Sequence, residues 1–164
     1  MNTPKQYLDM QLDIIPCEKD SRKPLTNNWS SAAYNIIDID FDNPLALKFI
    51  NYLAPCGAIF GKGDKKITHL LYKGVSKKAS FTFPKELSKW TNGFSDPHEN
   101  TIIENRSGKG FQTIVPGSVV EGKEVKWNVF DSISPYPNNT SIADCGKVAL
   151  STALLILYPT DGNR

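Results

Sequence analysis

The sequence predicts an α+β (α/β) domain in which short strands form a mixed β-sheet with flanking helices. Segments rich in isoleucine and valine alternate along the chain with segments whose apolar residues recur at helical spacing, an order typical of one layered domain. The chain has 164 residues, of which 40% are hydrophobic and 22% are charged. This length supports one hydrophobic core and is short for two, so we expect a single domain spanning residues 1–164.

The first half of the chain predicts a strand, a helix and a hairpin. Residues 34–41, YNIIDIDF, are rich in β-branched isoleucine and in aromatic residues, and they predict the first strand. A helix is expected over residues 42–53, because an Asn-Pro pair suits the start of a helix and apolar residues then recur at helical spacing. Residues 56–61 and 66–73 predict the second and third strands, which are joined by a loop rich in glycine and lysine.

The second half predicts a short helix, three strands and a final helix. Residues 84–94 are expected to form a helix that ends near a glycine. Strands are predicted over residues 100–107, 110–118 and 124–130, with a hairpin turn between the first two. Residues 141–158 are rich in alanine, valine and leucine and predict a buried helix.

Charge, cysteine content and apolar runs bear on the partners, the metal sites and the location of the protein. The formal net charge of +2 does not by itself indicate a nucleic-acid partner; six lysines lie between positions 62 and 78, but solvated loop ends would explain them as well. Three cysteines without a C-x-x-C pair argue against a zinc site, and an odd count without a signal peptide predicts a reducing, cytoplasmic location. The longest apolar run, residues 148–158, is too short to span a bilayer, so no membrane partner is expected.

Two aspartates interrupt the isoleucines of the first predicted strand. Because side chains alternate across a strand, Asp38 and Asp40 share one face, whereas Ile37, Ile39 and Phe41 share the other. The two carboxylates should lie about 6–7 Å apart, from a rise of about 3.3 Å per residue. A divalent cation would relieve their mutual repulsion. The alternative is a strand end whose aspartates lie in solvent.

Two later strands carry further candidates. Glu104 and Arg106 share a face of the strand 100–107, and Glu104 would supply a third carboxylate if that strand lies beside the first. His69 lies on the third strand, where it could bind phosphate or transfer a proton; the alternative is a structural core histidine. Ser118 lacks the G-x-S-x-G context of a hydrolase nucleophile, and the loop FGKGDKK lacks the residue order of a P-loop.

The acidic pair, the strand histidine and the later acid occur in an order that a known family shares. The segments IDID, ITH and IIENR resemble the three motifs of the archaeo-eukaryotic primase superfamily, most closely those of the primase-polymerase (prim-pol) domains at the N-terminus of plasmid and phage replication proteins. The resemblance covers residues 16–164, although Ile67 stands where the family has a small side chain. Flanking segments that these domains often carry are matched by Lys23, Pro24, Trp29, Gln112, Pro116, Ser118 and Trp127.

This resemblance implies a prim-pol catalytic core with an RRM-like module and flanking helices. The activity implied is that of a DNA primase, a DNA-directed polymerase or both, adding nucleotides to a 3′-hydroxyl. In that family the three acids, which correspond here to Asp38, Asp40 and Glu104, hold two divalent cations, Mg²⁺ or Mn²⁺. His69 would be a catalytic residue that contacts the nucleotide phosphates.

The resemblance also implies partners. These are nucleoside triphosphates, a single-stranded DNA template with its primer, and the downstream helicase domain with which many relatives continue. Arg106 and Lys66 would be additional contacts to the nucleotide phosphates.

Two other functions remain open at this stage. In the nucleotidyltransferase hypothesis, the lysines at 73, 77 and 78 offer a path for the template backbone, and Trp29 and Trp90 could stack on bases or lie in the core. The first alternative is a non-catalytic single-stranded-DNA-binding or replication-initiation module. Such a module has no reason to collect three carboxylates, which argues against it. A metal-dependent nuclease would also use a carboxylate cluster.

Overall fold

A seven-stranded antiparallel β-sheet dominates the computed structural model of the protein. The structure describes residues 4–10, 12, 14–27, 35–41, 47, 56–65, 67–76, 79–82, 101–108, 111–136 and 151. Within these residues, helix α1 (Pro4–Asp9) precedes the sheet. The strands are β1 (Ile36–Asp40), β2 (Ala58–Lys62), β3 (His69–Lys73), β4 (Ala79–Thr82), β5 (Thr101–Ser107), β6 (Val119–Val120) and β7 (Lys123–Phe130).

The strands lie in the order β4-β5-β1-β3-β2-β7-β6, and every pairing between them is antiparallel. The prediction of a mixed sheet therefore does not hold for the described strands, in which the single parallel contact is an isolated bridge between Lys73 and Pro135. A short loop joins β2 to β3, and strands joined in this way pair antiparallel, whereas parallel strands need a long crossover. The broader α+β expectation is only loosely compatible, because the described part of the chain is mostly sheet.

Alternation along β1 divides the sheet into two faces, as predicted. Ile37 and Ile39 are fully buried on one face. Their partners on β3 are the buried apolar residues Tyr72 and Leu70, whereas their partners on β5 are the buried polar residues Ser107 and Asn105. Burial of β-branched and aromatic side chains at these positions is what fixes the register of the strands.

The opposite face carries a second apolar cluster at the β2–β7 end of the sheet. Its buried members are Ala58, Phe60, Leu71, Val125 and Ile133. Residues from outside the sheet pack against this cluster, among them Met10 and Leu12 near the N-terminus and Ile114. The Tyr7 hydroxyl donates a hydrogen bond of 2.7 Å to the carbonyl oxygen of Pro116, so the N-terminal segment and the segment 111–118 are fastened together over this face.

Some elements differ from the prediction. A strand was expected over residues 110–118, but its described part, residues 111–118, carries no strand; Ile114 packs against the apolar cluster of the sheet instead. Helix α1 and the short strands β4 and β6 carry too little periodic pattern to be predicted. A turn between β6 and β7 places Glu121 and Gly122 at positive φ.

The predicted helices over residues 42–53, 84–94 and 141–158 lie outside the described residues, apart from Leu47 and Ser151, each of which is helical. Within the described residues, no helix has the length and apolar character needed to cross a membrane.

Candidate active site on the central strands

The register of the sheet brings five of the predicted site residues to the same place. Asp40 on β1 lies directly between His69 on β3 and Glu104 on β5. Arg106 lies beside Asp38 across the β1–β5 pair. The strand that carries Glu104 is therefore the immediate neighbour of the strand that carries the two aspartates. Glu104 was expected to supply a third carboxylate only if these two strands were neighbours.

Asp38 and His69 form one half of this cluster. Asp38 is 2% exposed, and both of its carboxylate oxygens lie 3.1 Å from Nδ1 of His69, so Nδ1 must carry the proton that is donated. Burial raises the pKa of Asp38, but the charge and hydrogen bond of His69, with smaller contributions from Thr113 and Arg106, outweigh it, and the pKa lies below its ordinary value. Asp38 is consequently ionised at neutral pH.

The same contacts act on the histidine in the opposite sense. Burial lowers the pKa of His69, but the charge and hydrogen bond of Asp38 and the charge of Asp40 outweigh it, so the pKa is raised. Oδ1 of Asp40 lies 3.6 Å from the same nitrogen. His69 is thus held as a protonated or readily protonated group between two aspartates.

Arg106 forms the other half of the cluster. One terminal nitrogen of its guanidinium lies 2.5 Å from Oδ2 of Asp40, and its Nε donates to Oε2 of Glu104 at 2.9 Å. Burial lowers the pKa of Arg106, but Asp40 and Glu104 outweigh it and raise the pKa. One guanidinium therefore bridges two of the three acids, with 26% of its own side chain exposed.

Phe60 is a site residue that the sequence alone did not identify. Its ring stacks on the imidazole of His69 with a centroid separation of 4.6 Å and an interplanar angle of 9°. Trp127 meets the ring of Phe60 edge-on at 5.5 Å. Phe60 is fully buried, so the imidazole rests on a fixed surface with Nδ1 directed at the carboxylates. Phe60 is the register partner of His69 on β2. Its role could be recognised only from the pairing of β2 with β3, which the sequence does not give.

A cavity of about 750 Å³ opens beside the cluster. Asp38 and Arg106 line it where it meets the cluster, and Lys73 adds a second cation. Its walls come from the N-terminal segment, from residues 14–21 and from the segment 111–119, which contribute mostly apolar side chains. The cavity therefore combines an apolar wall with three cations and three carboxylates, which are Lys19, Lys73, Arg106, Glu18, Asp20 and Asp38. An apolar wall with a few charged groups is typical of small-molecule sites.

The acids of the cluster are paired with two basic side chains of the protein, His69 and Arg106. Three carboxylates face one guanidinium and one imidazole, and within the described part of the chain no group of three or more His, Cys, Asp or Glu side chains is arranged to hold a metal ion. The donor set itself, three carboxylates on neighbouring strands, is chemically suited to Mg²⁺ or Mn²⁺. The guanidinium of Arg106, which contacts Asp40 and Glu104, would compete with such an ion for these two acids.

The remaining predicted residues fall into three groups. Lys66, Trp29, Trp90, Lys77 and Lys78 lie outside the described residues. Three residues serve the fold: Trp127 packs against Tyr7, Phe60 and Phe130, Gln112 donates to the carbonyl of Arg22 at 2.7 Å, and Lys23 forms an exposed ion pair with Glu18 at 2.7 Å. Lys73 is exposed at the end of β3, and it is the only lysine of the expected backbone path that the structure describes.

Comparison of the chain with protein-family models, with curated proteins and with solved structures finds no match.

Proposed function

We propose that the protein is a template-dependent nucleotidyltransferase, a DNA primase or DNA polymerase that joins nucleotides to a 3′-hydroxyl on single-stranded DNA. The observation that carries this proposal is the position of Asp40, directly between Glu104 and His69 in the sheet. The register collects two nearly inaccessible aspartates, a third acid and a histidine on one face, next to a cavity large enough for a nucleotide. A fold without such chemistry has no need to bury two carboxylates side by side.

Each residue of the cluster has a role in this proposal. Asp38, Asp40 and Glu104 would hold divalent cations, Mg²⁺ or Mn²⁺, which neutralise the charge that develops during phosphoryl transfer when they are bound. His69 would direct a charge-assisted hydrogen bond at a nucleotide phosphate, because its ring is fixed by Phe60 and its pKa is raised by Asp38. Arg106 would be a further phosphate contact.

The order of the central strands is a second support. The strands β5, β1, β3 and β2 lie side by side in that order, so β1 lies between β5 and β3. Antiparallel pairing in this order is the arrangement expected of an RRM-like module. The proposal therefore takes the acidic pair to lie on the central strand of such a module, with the third acid on its outer neighbour.

The test is primer extension on a single-stranded DNA template with Mg²⁺ or Mn²⁺. Asp38→Ala/Asp40→Ala should abolish synthesis, because it removes two of the three acids, and circular dichroism should show that the fold is retained. The matched control is Asp64→Ala/Asp131→Ala, which removes two exposed carboxylates and should synthesise as the wild type does. Full-length product from Asp38→Ala/Asp40→Ala would sink the proposal.

A second candidate function is a non-catalytic single-stranded-DNA-binding module. The observation that favours it is the engagement of all three acids by His69 and Arg106, which is also what a purely structural charge cluster would show. The same assay separates the candidates: a binding module leaves the primer unchanged with either cation, and a nuclease shortens it.

A further inference from the structure

Arg106 lies between two of the acids to which the proposed function assigns divalent cations. Its guanidinium contacts Oδ2 of Asp40 and Oε2 of Glu104 at 2.5 and 2.9 Å. These are two of the three acids, and they lie on neighbouring strands as register partners. The guanidinium neutralises both carboxylates, and its positive charge repels a cation that approaches the same oxygens.

Arg106 also faces the cavity. Its side chain is 26% exposed and lines the cavity together with Asp38 and Lys73. Asp40 and Glu104 do not line the cavity, so an anion that enters it meets the guanidinium from the side opposite to these two acids' own contacts or beside Asp38, without having to pass them. Phosphate groups bind arginine with the same paired geometry that carboxylates use, so such an anion competes directly with Asp40 and Glu104 for Arg106.

We propose that Arg106 is a positioning residue that exchanges partners: it leaves Asp40 and Glu104 when the triphosphate of a nucleotide enters the cavity, and the vacated carboxylates then accept divalent cations. This inference rests on the proposed function, because it takes the same acids as the cation ligands. The reverse also holds, since a coupling between two ligands must act equally in both directions. The acids accordingly bind cations weakly while Arg106 holds them and more tightly once a triphosphate has withdrawn it.

The first experiment measures Mn²⁺ binding to metal-free protein from the paramagnetic resonance signal of the free ion, with no phosphate present. Arg106→Gln should bind Mn²⁺ about tenfold more tightly than the wild type, because the internal competitor is gone. The matched control is Lys126→Gln on β7. Lys126 forms an ion pair of 2.9 Å with Glu124, also two residues away on one strand, but that pair is largely exposed. This control should bind Mn²⁺ as the wild type does.

The second experiment measures binding of inorganic triphosphate by calorimetry in the presence of EDTA. Glu104→Gln should bind triphosphate about tenfold more tightly than the wild type, because Arg106 then keeps only one charged partner and is more easily withdrawn. Glu124→Gln, the corresponding change in the exposed pair on β7, should have no effect. This arm does not depend on Arg106→Gln being folded.

Unchanged or weaker Mn²⁺ binding by a folded Arg106→Gln protein overturns the exchange of partners, and so does unchanged triphosphate binding by Glu104→Gln. Both readouts are equilibrium affinities, so they are independent of synthesis. Normal primer extension with neither shift would refute the exchange alone, whereas both shifts without any primer extension would refute the proposed function and leave the exchange standing.

Discussion

One face of the sheet has two halves with opposite chemistry. Across β5, β1 and β3 it carries Asp38, Asp40 and their counter-ions, whereas across β2 and β7 it carries Phe60 and Trp127. The border runs between two stacked rings, the imidazole of His69 and the benzene ring of Phe60, 4.6 Å apart. Both halves are buried, but burial lowers the free energy of the aromatic half and costs the charged half the hydration of its ions.

The difference separates stability from function. An aromatic cluster gains free energy with every apolar surface that it removes from water. A buried ionic cluster loses hydration of each charge and recovers it only through good pairing, so it adds little net stability. We infer that the aromatic half holds the sheet together and that the charged half is present for its chemistry.

The largest expected effect comes from the aromatic half. Phe60→Ala should lower the free energy of unfolding by about 3–5 kcal/mol, because it opens a cavity beside Trp127 and His69. Urea denaturation monitored by circular dichroism measures the change. Val129→Ala is the control on β7, where the side chain is 42% exposed, and it should cost less than about 1 kcal/mol. A small loss in Phe60→Ala would mean that this half does not hold the sheet.

An intermediate effect is expected from the charged half. Arg106→Gln in EDTA should lower the free energy of unfolding by about 2 kcal/mol, because it leaves Asp40 and Glu104 beside each other without their shared cation. Lys126→Gln, in the exposed pair on β7, should change it by less than about 0.5 kcal/mol. Denaturation of both variants at equal ionic strength gives the comparison, and equal losses would show that burial makes no difference to these pairs.

The smallest effect is a dependence on pH at the border between the halves. The pKa of His69 is raised from 6.5, so its stabilising contribution is complete below pH 6.5 and is lost as the pH rises through the folded-state value. The pKa of Asp38 is lowered from 3.8, so its contribution is complete above pH 3.8 and is lost as the pH falls through the folded-state value. Their pair should therefore contribute most between pH 3.8 and 6.5.

The measurement is the difference in unfolding free energy between the wild type and His69→Gln across that range, in EDTA. The difference should be widest near pH 5.5 and should shrink above about pH 6.5, the ordinary pKa of histidine. Val129→Ala changes no ionisable group, so its difference from the wild type should be constant across the same range. A His69→Gln difference that grows above pH 6.5 would contradict the assigned direction of the shift.

Local pattern was sufficient for the strands that position the site. Alternation along IIDID and TIIENRS placed Asp38, Asp40, Glu104 and Arg106 on the correct faces, because side-chain direction in a strand depends only on the pleat. Local pattern failed for residues 111–118, whose apolar side chains fit a strand equally well but pack on the sheet from outside it. Nothing in a short apolar run distinguishes these two ways of burial.

The sequence did not predict which residues stand opposite each other on neighbouring strands. The neighbours of Asp40 come from β3 and β5, and the resemblance to prim-pol motifs suggested them without giving a register. The contact of Arg106 with Asp40 and Glu104, and the stack of Phe60 on His69, depend on which residues stand opposite each other across strands. One residue of slip would move each of these side chains to the other face.

The central position of β1 has a consequence for the chain while it is being synthesised. Asp38 meets His69 31 residues later in the chain, and Arg106 is further away still, so β1 leaves the ribosome long before either neighbour exists. A segment rich in isoleucine with two unpaired edges is prone to aggregate in that interval. Until their partners arrive, Asp38 and Asp40 are solvated charges within this segment, and we expect them to act as gatekeepers that oppose pairing of the nascent strand with other chains.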